Sequence, residues 1–129
     1  MKKTVPVLIL LAVVLAACQA AAPQASYTDI SADELSAMFE SKDFFFVNTH
    51  IPYEGEIAQT DAFIAYDDLA AYDQGFPADR DAKIVLYCRS GRMSAIAAEE
   101  LARRGYTNLY NLDGGMAAWE QAGYPLEFK

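Results

Sequence analysis

The run Lys83-Ile84-Val85-Leu86-Tyr87 leads straight into the polar turn Cys88-Arg89-Ser90-Gly91, and a helix-forming stretch follows at once. An apolar, β-branched run without alternation predicts a central strand covered on both faces. After the turn, Ala95, Ile96, Ala98, Glu99, Leu101 and Ala102 favour helix. Arg103 and Arg104 suit its negative C-terminal end, and Gly105 suits the position just beyond it. A strand that passes directly into a covering helix is the unit from which parallel sheets are built.

The rest of the chain repeats that alternation. Ser31-Ala32-Asp33-Glu34 predicts a capping box, with Leu35, Met38 and Phe39 following at helical spacing. Phe44-Phe45-Phe46-Val47 predicts a strand buried on both faces. Residues 48–61, with Pro52 and Gly55, read as a loop, and residues 63–66 as a short strand. Asp67 is placed to cap a helix through Asp68, Leu69, Ala70, Ala71 and Tyr72, ended by Gly75 and Pro77. Leu109-Tyr110-Asn111-Leu112 predicts another strand, and Asp113-Gly114-Gly115 a turn into a helix over residues 116–121 stopped by Gly123 and Pro125. The expected fold class is α/β, a parallel sheet with helices on both faces. No internal repeat is visible.

The first residues do not read as part of that core. Lys2 and Lys3 precede an apolar run over residues 5–17, too short for a membrane span of about 20 residues and matching a secretory signal peptide. Its end, Leu15-Ala16-Ala17-Cys18, resembles the lipobox of bacterial lipoproteins. That resemblance implies that Cys18 is lipidated and becomes the first mature residue. An ordinary signal peptide with a cysteine nearby, and a retained anchoring helix, are the alternatives. The expected organisation is a leader over residues 1–17, an alanine-rich tether over 18–26 and one domain over 27–129.

Loss of Lys2 and Lys3 would leave the mature chain two charges more acidic than the −8 of the whole sequence. Such a balance argues against binding nucleic acid or an anionic membrane surface through charge. With Cys18 carrying lipid, Cys88 would be the one remaining thiol of the two cysteines. Export favours paired or absent cysteines, so a lone thiol points either to reactivity or to a small buried hydrophobe.

Position favours reactivity. In a parallel α/β sheet, ligands collect outside the carboxyl ends of the strands. There the free N–H groups of the following helix, its dipole, Arg89 and Arg92 all favour a thiolate on Cys88, and Gly91 lets the backbone curl into an anion-binding nest. The sulfur is expected to face solvent on this loop.

Cys88-Arg89-Ser90-Gly91-Arg92-Met93-Ser94 resembles the active loop of the rhodanese family, which reads Cys-Arg-Ser-Gly, a variable residue, Arg or a substitute, and Ser. The ending resembles the family too, in Leu112-Asp113-Gly114-Gly115, Ala118-Trp119 and Ala122-Gly123-Tyr124-Pro125. The first half departs from it. Asn48-Thr49-His50 stands where the family usually has Asp-Val-Arg, which removes an ion pair. Pro52 and Glu54 fit the usual Pro-x-Glu, and Gly55-Glu56-Ile57 replaces Gly-His-Ile with shorter spacing.

The resemblance implies a rhodanese-like fold and a sulfurtransferase. Cys88 would carry sulfane sulfur as a persulfide, taken from thiosulfate or a similar small anionic donor and given to a thiol or cyanide, with no cofactor. Residues Arg89, Ser90, Gly91, Arg92, Met93 and Ser94 would form the substrate pocket, the two arginines attracting the donor. His50, the single histidine, would lie on the same rim. It could orient an acceptor or shift the thiol's protonation, but the preferred reading is a loop-packing donor in place of the family's arginine. One histidine and one free thiol make no metal site. A phosphatase loop, Cys-x5-Arg, would need arginine at position 94, which is Ser94. The remaining alternative is a non-catalytic, lipid-tethered binding or persulfide-carrier module. The chain is expected to be an exported bacterial lipoprotein held to a membrane through Cys18, facing the periplasm or cell exterior, with no protein partner identified by the sequence.

Overall fold

The computed structural model describes residues 26–129. The expected leader, Cys18 and nearly all of the expected tether fall outside them. Along the chain come β1 (Thr28–Ile30), α1 (Ala32–Met38), a short 3-10 turn (Phe39–Ser41), β2 (Phe45–Asn48), β3 (Ala62–Phe63), α2 (Leu69–Gly75), β4 (Ile84–Tyr87), α3 (Arg92–Arg103), β5 (Leu109–Leu112) and α4 (Gly115–Gln121). All strand pairs are parallel, in the order β1-β5-β4-β2-β3. The α/β class with a parallel sheet is therefore observed.

β4 lies at the centre of the sheet, which explains its unbroken apolar run. Because successive side chains point to opposite faces, the strands divide their residues between two cores. Phe46, Val85, Tyr87 and Leu112 pack with Leu35 of α1 and with Met116 and Trp119 of α4. Val47, Ile84, Leu86 and Leu109 pack with Tyr72 of α2 and with Ala97, Ala98 and Leu101 of α3. All four β4 side chains are fully buried. Among the described residues, no helix is long and apolar enough to cross a membrane.

Local signals place most element ends to within a residue. The capping box forms, with Ser31 Oγ accepting from Glu34 N at 3.1 Å and Glu34 Oε2 accepting from Ser31 N at 2.7 Å. Asp68, not Asp67, caps α2, accepting from Ala71 N at 3.2 Å. β3 is shorter than residues 63–66 suggest. Beyond Phe63 the chain still follows β2 through Ile64 N to Asn48 O (3.0 Å) and Tyr66 N to Thr49 O (3.1 Å). β1 is the addition: an edge strand of three residues in which only Ile30 is buried, too little apolar pattern to be read from sequence.

Candidate active site

β4 ends at Tyr87, and the chain turns through Cys88-Arg89-Ser90-Gly91 into α3. Gly91 has a φ of 94°, a left-handed conformation that costs an L-residue energy but glycine nothing. That turn aims the Gly91 N–H at Cys88 Sγ, 3.0 Å away. The Ser94 hydroxyl lies 3.4 Å from the same sulfur. The first intrahelical bond of α3 runs from Ala95 N to Gly91 O, so helix geometry gives Arg92, Met93 and Ser94 N–H groups no intrahelical acceptor. Of the nest expected from sequence, one converging N–H is seen, that of Gly91.

The sulfur does not face solvent as expected. Cys88 is 1% exposed, set on the floor of the loop with Gly91 and Ser94 also buried, while Arg89, Ser90 and Arg92 are exposed and Met93 is half-buried. The reason is that β4 is interior to the sheet and the loop closes over its end. A reactant must therefore reach a recessed sulfur past the Arg89–Met93 rim.

The Gly114-Gly115 pair holds the loop in place. Met116 N donates to Cys88 O at 2.8 Å and Ala117 N donates to Arg89 O at 3.0 Å. A Cβ on Gly115 would overlap the Cys88 carbonyl and sit 2.6 Å from the Arg89 carbonyl carbon. α4 can dock its first N–H groups on the loop only because no side chain intervenes.

The charges are not arranged as two free arginines. Arg89 reaches Glu54 (Nε to Oε2, 3.8 Å) and Glu120 (Nη1 to Oε1, 3.5 Å). Both carboxylates are about half exposed, so each contact is worth little alone, yet together they offset the Arg89 charge. Arg92 is exposed and forms no ion pair among the described residues. His50 Nε2 is 2.8 Å from Glu54 Oε2, and no hydrogen bond joins it to Cys88. Its Nδ1 is buried without a hydrogen-bond partner among the described residues.

The departing segment is tied into the loops residue by residue. Asn48 Nδ2 donates to Gly55 O, Thr49 donates to Tyr87 O through both N (2.8 Å) and Oγ1 (3.0 Å), and His50 N donates to Asn48 Oδ1. His50 takes part in them only through its backbone N–H, and its ring meets Glu54 alone. No cluster of three metal-ligating side chains occurs among the described residues.

Three groups around the site escaped the sequence reading. Glu54, in the loop after β2, and Glu120, on α4, meet Arg89 from distant parts of the chain, and no local pattern announces them as its partners. Asn111 did carry a signal, a polar residue inside an apolar strand. It is 3% exposed, and its Oδ1 accepts from the Ser94 hydroxyl at 2.5 Å.

A buried cysteine beside the Gly91 N–H and the Ser94 hydroxyl, between a central parallel strand and the helix that follows it, defines an α/β domain built around a buried thiol. The chain belongs to the rhodanese-like domain family, whose pattern matches residues 31–122. It is similar to "Thiosulfate sulfurtransferase GlpE" of Shewanella oneidensis, 32% identical over 98 residues that cover 75% of this chain and 96% of that one. It is also similar to "tRNA uridine(34) hydroxylase" of Erwinia tasmaniensis, 28% identical over 110 residues, 78% of this chain and 31% of that one. The chain thus spans 31% and 45% of the lengths of the first two curated relatives it matches. Among solved structures, a rhodanese-like domain protein from Staphylococcus aureus superposes with a TM-score of 0.66 at 29% identity, over 79% of this chain and 98% of that one.

Proposed function

We propose that the protein is a sulfurtransferase that carries sulfane sulfur on Cys88. The observation that carries this reading is the Gly91 N–H, 3.0 Å from Cys88 Sγ, at the mouth of α3, where an anionic sulfur is stabilised without further rearrangement. In the first half-reaction the Cys88 thiolate attacks the outer sulfur of thiosulfate. The new S–S bond takes up that sulfur, and the old one breaks with its electron pair leaving on sulfite. The product is a Cys88 persulfide anion. In the second, cyanide or a thiolate attacks the outer sulfur and the Cys88 thiolate leaves, which restores the starting state. Residues Arg89 to Ser94 would form the walls, with the Gly91 N–H on the sulfur. No cofactor is required by this chemistry. Ser94, buried against the sulfur, stands where a phosphatase would need an arginine to clamp phosphate.

Purified protein mixed with thiosulfate, without acceptor, should gain the mass of one sulfur atom and lose it on adding cyanide. Cys88→Ala should do neither. A wild-type protein left unmodified by every sulfane donor tried would overturn the proposal. A second reading, a persulfide carrier that serves a partner enzyme, draws support from the offset Arg89 charge, which leaves one uncommitted guanidinium, on Arg92, for an anionic donor. Multiple turnovers with thiosulfate would rule it out. The anchoring through lipid on Cys18, and with it an exported site of action, is proposed from the Leu15-Ala16-Ala17-Cys18 pattern alone.

A further inference from the structure

We propose that Asp29 and Asn111 are positioning residues for Cys88, which act by setting the direction of the single proton on the Ser94 hydroxyl. The proposal rests on the reading of Cys88 as the sulfur carrier. A serine hydroxyl has one proton to donate and lone pairs to accept with. Three acceptors surround Ser94 Oγ: Asn111 Oδ1 at 2.5 Å, Gly91 O at 3.3 Å and Cys88 Sγ at 3.4 Å. Only one of them can hold the proton at a time. Ser94 is fully buried and Asn111 nearly so, so water does not relieve the competition.

Asp29 decides how Asn111 enters it. β1 pairs with β5 so that Asp29 lies directly opposite Asn111, and Asn111 Nδ2 donates to Asp29 Oδ1 at 2.8 Å. A carboxylate only accepts. The amide therefore turns its nitrogen to Asp29 and its oxygen to Ser94. Without Asp29 the amide could rotate and present a donor to Ser94 instead.

The consequence is a hydroxyl whose direction follows the charge on sulfur. While Sγ carries the negative charge, Ser94 donates to it. Once Sγ is an S–H, or once the charge has moved to the outer sulfur of a persulfide, the proton swings to Asn111 Oδ1 and a lone pair faces Sγ. No covalent bond changes; one O–H bond rotates. The departing thiolate therefore meets the serine proton as its charge appears, and the persulfide is relieved of that donor once the charge lies on its outer sulfur.

The test is the pH profile of Cys88 alkylation by iodoacetamide, a neutral probe, on the full chain in detergent. Asp29→Ala and Asp29→Asn remove the same charge, but asparagine keeps an acceptor oxygen that can hold the Asn111 amide. The other charged groups near the loop stay constant across the pair: Arg89 and Arg92 on it, His50 and Glu54 after β2, Asp113 after β5 and Glu120 on α4. With Asp29→Ala the freed amide sends the serine proton to sulfur. Its alkylation profile should lie at lower pH than that of Asp29→Asn, by about half a unit or more, because a hydrogen bond to the charged form favours that form. Asp29→Asn should restore the wild-type dependence on Ser94. In a Ser94→Ala background the two profiles should coincide. Should Asp29→Ala not fold, Asn111→Ala gives the same test: it removes the competing acceptor and should move the profile down only while Ser94 is present. Coincident profiles with Ser94 intact, or a difference that survives Ser94→Ala, would overturn the proposal. Alkylation needs no sulfur donor, so either result is independent of whether Cys88 accepts sulfur from thiosulfate.

Discussion

Gly115→Ala is the sharpest perturbation of the loop that carries Cys88. Gly115 has a φ of 59°, and holding alanine there costs roughly 1–2 kcal/mol in backbone energy. Its Cβ would also collide with the Cys88 carbonyl and come within 2.7 Å of the Arg89 carbonyl oxygen. The neighbours are backbone, so relief requires that α4 or the loop move. Movement breaks the Met116 N to Cys88 O and Ala117 N to Arg89 O bonds, each worth about 1 kcal/mol, with a further penalty if the Cys88 carbonyl is left buried without a donor. The sum is about 3–5 kcal/mol, a large part of a typical domain's 5–15 kcal/mol. Gly105→Ala is the matched control, since Gly105 has a φ of 93° but its added Cβ would meet nothing within 4 Å. It should cost only the backbone term. Urea unfolding of both variants should separate them by about 2–3 kcal/mol. Gly115→Ala should also lose most sulfur transfer under conditions where it stays folded. Equal stabilities, or full transfer by Gly115→Ala, would show that the α4 contact does not hold the loop.

Arg92→Ala should raise KM for thiosulfate more than it lowers kcat, and should do so more than Arg89→Ala, whose charge Glu54 and Glu120 already offset; steady-state kinetics with the reverse order would refute that division. Cys18→Ala should release the protein from membranes or leave its precursor unprocessed, read by fractionation and mass; unchanged maturation would refute the lipid anchor. Burial, opposed by hydrogen bonds from Thr60 and Ile57, pushes Tyr87 up to about 12, and burial does the same for Tyr72. Between pH 10 and 12 the unfolded chain loses these protons while the folded one keeps them. Stability should therefore be complete below pH 10 and fall by roughly 2–3 kcal/mol per tyrosine toward pH 12. Tyr87→Phe should flatten that fall in alkaline melts, and an unchanged slope would count against it.

The parts of this fold written into short stretches of sequence are those with local causes. The apolar run at 84–87, Gly91 in its left-handed turn and the Ser31–Glu34 capping box each depend on residues within one or two turns of chain. The position of Cys88 between strand and helix, and the turn at Gly91 that aims an N–H at its sulfur, were legible for that reason. What the tertiary structure decided depends on residues brought together across the sheet. β1 is too short and too exposed to show an apolar pattern, and it gains its place only by pairing with β5. That pairing puts Asp29 opposite Asn111, 82 positions away, and ties an edge carboxylate to the serine beside the sulfur. Likewise Arg89 looks like free positive charge in sequence, because nothing nearby marks Glu54 or Glu120 as its partners. The depth of Cys88 was decided there too: a turn reads as surface, but the first residue of a turn at the end of an interior strand, clamped by α4, is buried. Local chemistry chose the sulfur and its turn, whereas the order of the strands chose its neighbours, its charge and its access, since those arise only when distant segments share one sheet edge.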